Sequence, residues 1–328
     1  MSLEKLKARH WKEQQFLKAK QEVMSKPYSS TSAAAKLAGW AFKIFVLVFF
    51  ALIIIFPFYF MISQSLTNRE LTILASNTPA VLFPRATATD PTVFHFDNYR
   101  AALVSGYLQS VVFTIGVTSL SILVRLFFSL TLGYALSLNN WKGKAGFFAF
   151  FLSLMILPEI ALLVGQYIVV VRMGWQQKEW LWFALIAPFT ASIFFAYMYK
   201  NAFEAIPNSV KESSMLDGAN GFKYFVKIAL PMVSSTTWTV AILTAFASWN
   251  SYTWPALLMS GSAKEVWKPM NLWVFDTGKD LNEEVPRVYG SIRMAGTILA
   301  ILPMFIIYFV LRKRIMNAIS RNGNATKG

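Results

Sequence analysis

The chain alternates between long apolar runs and shorter polar segments. The first run covers residues 40–63 and contains a single charge, Lys43. About 20 apolar residues in a helix span the hydrocarbon core of a bilayer, and backbone groups in lipid must be bonded internally. The pattern therefore predicts an all-α membrane protein with six transmembrane helices, at residues 40–63, 107–136, 145–171, 181–199, 228–258 and 289–311.

Composition agrees with this prediction and narrows the function classes. The chain is 55% hydrophobic and 14% charged, whereas about a quarter of the residues of a soluble protein are charged. A net charge of +15 could indicate nucleic-acid binding, but Lys and Arg also collect in cytoplasmic loops. We expect no nucleic-acid partner. The absence of Cys excludes disulfides, and because His10 and His95 are far apart, we expect no metal site.

The distribution of basic residues predicts the orientation. With the N-terminus inside, about 19 Lys and Arg fall inside and about nine outside, as the positive-inside rule requires. We expect a multi-pass protein of the bacterial plasma (inner) membrane with both termini cytoplasmic. The predicted parts are a basic N-terminal arm (1–39), a six-helix transmembrane domain (40–312) containing loop 200–227, and a C-terminal tail (313–328).

The N-terminal arm combines basic residues with a few apolar ones. Two interpretations remain open. The arm is either a helix lying on the anionic lipid of the inner leaflet or a loosely ordered basic segment. Its apolar residues are Leu6, Trp11, Phe16 and Leu17.

The 207–227 segment is the most informative part of the chain. Pro207 suits the first turn of a helix, Gly218 suits the left-handed position after a helix end, and Asn220 can cap a second helix. The first helix has about eleven residues and would be marginal alone. Because it carries apolar Met215 and Leu216, we expect it to dock, either on another protein or on the protein's own inner face.

This segment resembles the signature of ABC importer permeases, E-A-A-x-x-D-G-A followed after five residues by F-x-x-I-x-L-P. The chain matches it at Glu212, Asp217, Gly218, Ala219, Phe225, Ile228, Leu230 and Pro231, with Ser213 and Ser214 in place of two alanines. Three weaker similarities favour the carbohydrate branch of the maltose-permease type. They lie at residues 96–99, at 249–252 with Pro255, and at 325–328.

The resemblance implies a type I ABC importer transmembrane domain. Its partners would be a second homologous permease subunit, two ATPase subunits and an extracytoplasmic sugar-binding protein. The chain itself would be a transporter subunit, not an enzyme, without a cofactor, because ATP and Mg would bind the partner ATPase. Residues 207–227 would couple ATP hydrolysis to alternating access and sugar import, through Glu212, Ser213, Ser214, Leu216, Asp217, Gly218 and Ala219.

Several residues inside the spans are candidates for a substrate path. Trp249, Asn250 and Tyr252 suit a sugar ring, since aromatic faces and amides contact pyranoses, although helix packing is an equal alternative. Glu159 is expected near mid-membrane, facing the pore or a neighbouring helix. Arg125 is expected near the inner leaflet, where it could extend to the interface or pair with Glu159.

Prolines inside the predicted spans bear on whether the helices bend. Four prolines inside the spans predict kinks, which are either hinges or static bends. They are Pro57, Pro158, Pro188 and Pro303.

An ion-coupled secondary transporter is the alternative function, but that class uses buried acids, and only Glu159 qualifies. A membrane scaffold would not explain the signature spacing. The chain has no phosphate-binding G-x-x-x-x-G-K-[ST] motif, so the energy would come from a partner.

Overall fold

The computed structural model describes residues 10–20, 33–73, 81–138, 141–177, 179–259, 267–280 and 287–324. The chain divides into two units, residues 1–59 and 60–328. The helices are α1 (residues 10–20), α2 (Ala33–Ser65), α3 (Asp97–Val104), α4 (Tyr107–Ser137), α5 (Lys144–Leu154), α6 (Glu159–Arg172), α7 (Leu181–Ile186), α8 (Ile193–Glu204), α9 (Asn208–Leu216), α10 (Gly221–Tyr224), α11 (Leu230–Met232), α12 (Ser234–Trp249), α13 (Thr253–Leu258), α14 (Met270–Asp276) and α15 (Gly290–Asn324).

Short elements complete the described chain. Two 3-10 turns cover Glu70–Thr72 and Ala187–Phe189, and a π-helical turn covers Phe225–Ala229. Strands β1 (Lys279–Asp280) and β2 (Arg287–Val288) pair in antiparallel orientation, with Lys279 opposite Val288. The structure is therefore helical, as predicted.

The first unit contains α1 and most of α2. Residues 10–20 are helical and exposed, including Trp11, Phe16 and Leu17. This observation favours a helical arm over a loose one for these residues. Leu6 lies outside the described residues, and the contact with lipid stays a prediction.

Three described helices are long and apolar enough to cross a membrane alone, namely Ala34–Ser65, Tyr107–Ser137 and Gly290–Val310. Two further pairs pass the same test only when taken together. Leu181–Phe189 and Ile193–Glu204 are bent by 56°, and Gly221–Met232 and Ser234–Trp249 by 70°. Length and composition thus support three to five spans within the described residues.

The third predicted span is two shorter apolar helices, α5 and α6, rather than one continuous rod. The break ends at Pro158, which has an extended backbone with ψ 134°. Proline has no N–H and disfavours a helical residue before it. The expectation of a kink within one helix was therefore wrong here, whereas Pro57 and Pro303 lie inside continuous helices.

Helix α4 is the centre of the second unit. It packs most extensively against α8 and then against α12. One apolar cluster, with Phe113 and Trp254, joins α4 to α6, α7 and α13. A second, with Tyr199 and Val240, joins α8, α12 and the 207–227 segment. A third joins α3, α14 and α15 around Trp273.

The segment after α2 is pinned by a buried asparagine. The Asn98 side chain amide donates to the carbonyls of Ser65 and Thr67 at 3.0 Å each, and its oxygen accepts a bond from Arg69 Nε at 3.0 Å. The Ser65 and Tyr99 hydroxyls lie 2.8 Å apart. Asn98 and Tyr99, which belong to the 96–99 segment that resembles the carbohydrate branch, thus have a structural role in this chain.

Arg125 differs from its expected placement. Its side chain is buried, and it donates to the Phe189 carbonyl at 2.8 Å and to the Pro188 carbonyl at 3.0 Å. The expectation that Arg125 extends to the inner interface was therefore wrong. The proposed pair with Glu159 stays untested, because the Glu159 side chain lies outside the described residues.

Gly133 allows α4 and α8 to cross closely. A Cβ atom at this position would lie 2.4 Å from Tyr199 Cβ and 2.7 Å from the Ala196 carbonyl oxygen. We expect Gly133→Ala to destabilise the protein by about 2 kcal/mol, the usual cost of overpacking a core. Thermal unfolding in detergent measures this loss. Gly165→Ala is the control, since a Cβ there meets nothing within 4 Å and should be neutral or stabilising. Equal midpoints for both variants would contradict the close crossing.

Candidate functional site

The 207–227 segment forms a bent pair of helices, which we call the elbow (α9, the turn 217–220 and α10). Gly218 has φ +68°, the left-handed conformation that favours glycine. The Ala219 N–H bonds the Ser214 carbonyl at 2.8 Å, and the Gly218 N–H bonds the Met215 carbonyl at 3.1 Å. These two bonds define a Schellman motif, which satisfies the last carbonyls of α9. The predicted bend at Gly218 is confirmed.

The second half of the elbow is held by a lysine. Lys223 Nζ donates to the Gly218 carbonyl at 3.1 Å, which ties α10 back to the turn. Asn220 precedes α10 as predicted, but its side chain makes no capping hydrogen bond. Helix α9 has nine residues rather than about eleven.

Helix α9 has an inner and an outer face. Ser214 and Ala219 are buried, and Val210 packs on the apolar cluster of α8. Glu212 lies on the opposite side and is exposed. The inner face therefore docks on the protein itself, as one of the two interpretations expected, while the outer face stays open.

The outer face carries large apolar side chains. Leu216 is 90% exposed, Phe222 is 79% exposed and Met215 is 63% exposed. We call these three residues the apolar knob. Phe222 was missed by sequence reasoning, although an aromatic residue four positions after the signature glycine in a polar loop was a usable signal.

The two serines that replace signature alanines fit their positions. Ser214 is buried, and its hydroxyl donates to the Lys211 carbonyl at 2.7 Å. Ser213 is exposed, and its hydroxyl donates to the Val210 carbonyl at 3.1 Å. Each added hydroxyl is therefore satisfied locally, so the substitutions leave no unpaired polar group.

Trp249, Asn250 and Tyr252 meet at a cavity of about 770 Å³ beside the break between α12 and α13. The Tyr252 ring lies 4.6 Å from the Phe275 ring, at an interplanar angle of 36°. Trp249 is buried and Tyr252 is exposed. The cavity is completed by polar and charged groups from other helices, Asn271, Arg293 and Thr297.

The polar groups of this cavity are fixed by the backbone around them. The Asn271 amide donates to the carbonyls of Trp249 at 3.0 Å and Ser251 at 3.3 Å. Arg293 donates to the Phe275 carbonyl at 2.8 Å. These bonds tie down the backbone from which Trp249 and Phe275 project into the cavity.

Asp276 lies next to this cavity, at the end of α14. Its carboxylate is 2.7 Å from Lys268 Nζ and 2.6 Å from Lys279 Nζ. Burial alone would raise the pKa of Asp276, but the hydrogen bonds from the two lysines outweigh burial and lower it. The carboxylate is therefore charged over the physiological pH range.

Glu159 is the first residue of α6, directly after Pro158. Its side chain lies outside the described residues, so its proposed place on the substrate path stays a prediction. Among the described residues no cluster of His, Asp and Glu could hold a metal ion.

The family model described as "Binding-protein-dependent transport system inner membrane component" matches residues 126–321, which include the whole elbow. The chain belongs to this family. The permease is 48% identical over 299 residues to a probable ABC transporter permease of Mycoplasma pneumoniae, covering 89% of this chain and 90% of the relative. The multi-pass membrane protein predicted from the apolar runs is therefore confirmed.

More distant relatives have named substrates. The permease is 26% identical over 275 residues to the polygalacturonan/rhamnogalacturonan transport system permease of Bacillus subtilis, covering 81% of this chain and 91% of the relative. It is also 26% identical over 251 residues to the arabinooligosaccharides transport system permease of the same organism, covering 71% and 80%.

A solved structure confirms the fold of the permease. The match is to a chain of a bacterial ABC transporter involved in the import of the acidic polysaccharide alginate. The TM-score is 0.67 at 22% identity, and the match covers 86% of this chain and 98% of the other. The fold is thus that of an ABC importer transmembrane domain.

The effect of a substitution at Gly218 should depend on whether the new residue can adopt a positive φ, and not on steric overlap with neighbouring atoms. An added Cβ meets nothing within 4 Å, so only the left-handed conformation penalises a side chain. Gly218→Val should loosen the elbow, because a β-branched residue disfavours positive φ by about 1–2 kcal/mol. Gly218→Asn should be mild, since Asn visits this region more readily. Hydrogen exchange at the Gly218 and Ala219 amides measures the loosening, and equal protection in both variants would argue against it.

Proposed function

We propose that this permease imports a sugar or oligosaccharide across the plasma membrane by alternating access, driven by a separate ATPase that grips the elbow. The observation that carries the proposal is the apolar knob, exposed beside a hydrogen-bonded Schellman turn. The names of the relatives support a carbohydrate substrate. The second permease subunit, two ATPase subunits and an extracytoplasmic sugar-binding protein are the partners of this proposal.

The elbow has the features of a docking site on one side only. Its inner face is already buried, whereas Leu216 and Phe222 are exposed. Burying one such side chain contributes about 1.5–3 kcal/mol, so an apolar cleft that accepts the knob would bind it appreciably. Exposed Glu212 and Asp217 add carboxylates that basic groups at the cleft could pair with.

The proposal places the elbow, both termini and the basic arm in the cytoplasm, following the positive-inside rule. ATP and Mg belong to the ATPase, and the permease uses no cofactor of its own. The assignment of residues 1–39 as an arm, 40–312 as the transmembrane domain and 313–328 as a tail is part of the same proposal.

The elbow lies between two helices of the membrane domain. Helix α8 leads into it, and α11 and α12 follow it, with a 70° bend between the segments on either side of Val233. When the ATPase moves the knob, helices α8, α11 and α12 would move together. Because α12 ends at Trp249 beside the cavity, elbow displacement would alter the cavity walls.

The cavity at Tyr252 is the proposed substrate path. Tyr252 and Phe275 supply aromatic faces for pyranose rings, and Asn250, Asn271 and Thr297 supply amide and hydroxyl groups for their hydroxyls. Small-molecule sites combine apolar walls with a few placed polar groups in this way. Glu159 remains a proposed additional residue of this path.

Leu216→Asp should weaken binding of the ATPase by about a hundredfold, because it replaces buried apolar contact with a charge. Glu212→Lys should weaken binding as well, by reversing a charge that faces the cleft. The measurement is co-purification with the ATPase, followed by titration of the purified partner. Leu216→Met is the matched control and should bind normally. Undiminished binding by Leu216→Asp would refute the docking role of the knob.

Tyr252→Ala should raise the sugar concentration needed for half-maximal transport by about fivefold, since aromatic contacts contribute roughly 1 kcal/mol. Tyr252→Phe should behave like the natural protein, because it keeps the ring and removes only the hydroxyl. Uptake of labelled oligosaccharide into vesicles checks this. If both variants transport normally, the cavity is not the substrate path.

A further inference from the structure

The fourth predicted span is interrupted where Pro188 lies. It consists of α7, the 3-10 turn Ala187–Phe189 and α8, and its two halves are bent by 56°. A bend of this size interrupts the helical hydrogen-bond ladder and frees backbone carbonyls. In lipid such carbonyls must find donors within the protein.

Arg125 on α4 supplies those donors. Its Nε donates to the Phe189 carbonyl at 2.8 Å, and its Nη2 donates to the Pro188 carbonyl at 3.0 Å. The planar guanidinium presents its donors in a fixed fork, so it can hold two adjacent carbonyls at one angle. The same carbonyls close the C-terminal end of α7 and its turn, where a helix dipole favours a cation.

The guanidinium also lies against aromatic rings of the turn and of α8. Its central carbon lies 5.2 Å from the Phe189 ring centroid and 5.4 Å from the Phe195 ring centroid. Phe189 belongs to the turn and Phe195 to α8, and Arg125 is only 8% exposed. Cation–π contacts of this kind strengthen when water is excluded.

The two arms lead to different parts of the molecule. Helix α7 is anchored in the first apolar cluster, where Trp254 Nε1 donates to the Ala184 carbonyl at 2.9 Å. Helix α8 crosses α4 at Gly133 and continues to the elbow. The bend therefore joins α8, which leads to the elbow, to α7, which packs in the apolar cluster with α6 and α13.

We propose that Arg125 is a positioning residue that fixes the angle between α7 and α8, so that displacement of the elbow reaches α7 instead of being absorbed at the bend. The first part, the fixed angle, stands on the geometry alone. The second part, transmission, rests on the proposed function.

The fixed angle is testable with paired spin labels. The chain contains no Cys, so two introduced cysteines label cleanly. Phe183→Cys on α7 and Asn201→Cys on α8 place labels at exposed positions on either side of the bend, about 25 Å apart at 1.5 Å per residue. The natural Arg125 should give a narrow distance distribution, and Arg125→Met should broaden it at least twofold.

Conservative variants separate positioning from folding. Arg125→Lys keeps the charge but cannot fork to two carbonyls, so it should fold and give an intermediate width. Thr131→Val, an exposed change on the same helix, should match the natural protein. Unchanged widths in both Arg125 variants would overturn the proposal. Loss of folded protein with both would also overturn it, in favour of a purely structural role.

Transmission is tested in the complex with the ATPase. Arg125→Lys should leave ATPase binding unchanged but lower the sugar moved per ATP hydrolysed by about tenfold. A changed distance distribution with normal transport per ATP would overturn transmission while keeping the fixed angle. Failure of the elbow proposal would instead appear as normal ATPase binding by Leu216→Asp, and the spin-label result would stand independently.

Discussion

Backbone carbonyls released at a break in a membrane helix have no water to bond, so each break requires a donor from elsewhere in the protein. In this permease the donors come from polar side chains on neighbouring elements. Arg125 bonds the carbonyls at the bend between α7 and α8, and Asn271 bonds those at the break between α12 and α13. The elbow uses its own backbone in a Schellman turn together with Lys223. Arg125 and Asn271 thus each bond carbonyls at a point where a regular helix ends.

This dependence explains which parts of the fold the sequence could predict. The apolar run 107–136 corresponds to Tyr107–Ser137 because helix formation in lipid depends on local composition. Proline does not have a single effect on helix continuity, since Pro303 lies within a continuous helix whereas Pro158 lies at the end of a break. A proline in the sequence therefore does not tell whether a span continues or breaks. The 70° bend at Val233 follows Pro231 by two residues, but a proline in the sequence does not give the angle of the bend.

The candidate site likewise contains residues that the sequence could predict and residues that it could not. Gly218 was predictable because a left-handed helix end has a strong local preference for glycine. Trp249 and Tyr252 are neighbours in sequence, so their convergence was predictable, whereas Phe275 and Arg293 join them only through the packing of α14 and α15. The buried position of Arg125 was missed because depth along a helix does not tell which neighbour a side chain faces.

The proposed mechanism requires that the elbow and the bend between α7 and α8 keep their shape while the helices attached to them move. A force applied at the apolar knob is useful only if the elbow keeps its shape, which its two backbone bonds and Lys223 favour. In this mechanism the force would divide between α8, whose bend to α7 Arg125 is proposed to hold, and α12, whose C-terminal end lies at the cavity. Because α8 and α12 lie on either side of the elbow, one displacement of the elbow would move both helices together. A soft elbow would lose this synchrony even with every other contact intact, so the rigidity of the turn at Gly218 matters as much as the apolar contact it presents.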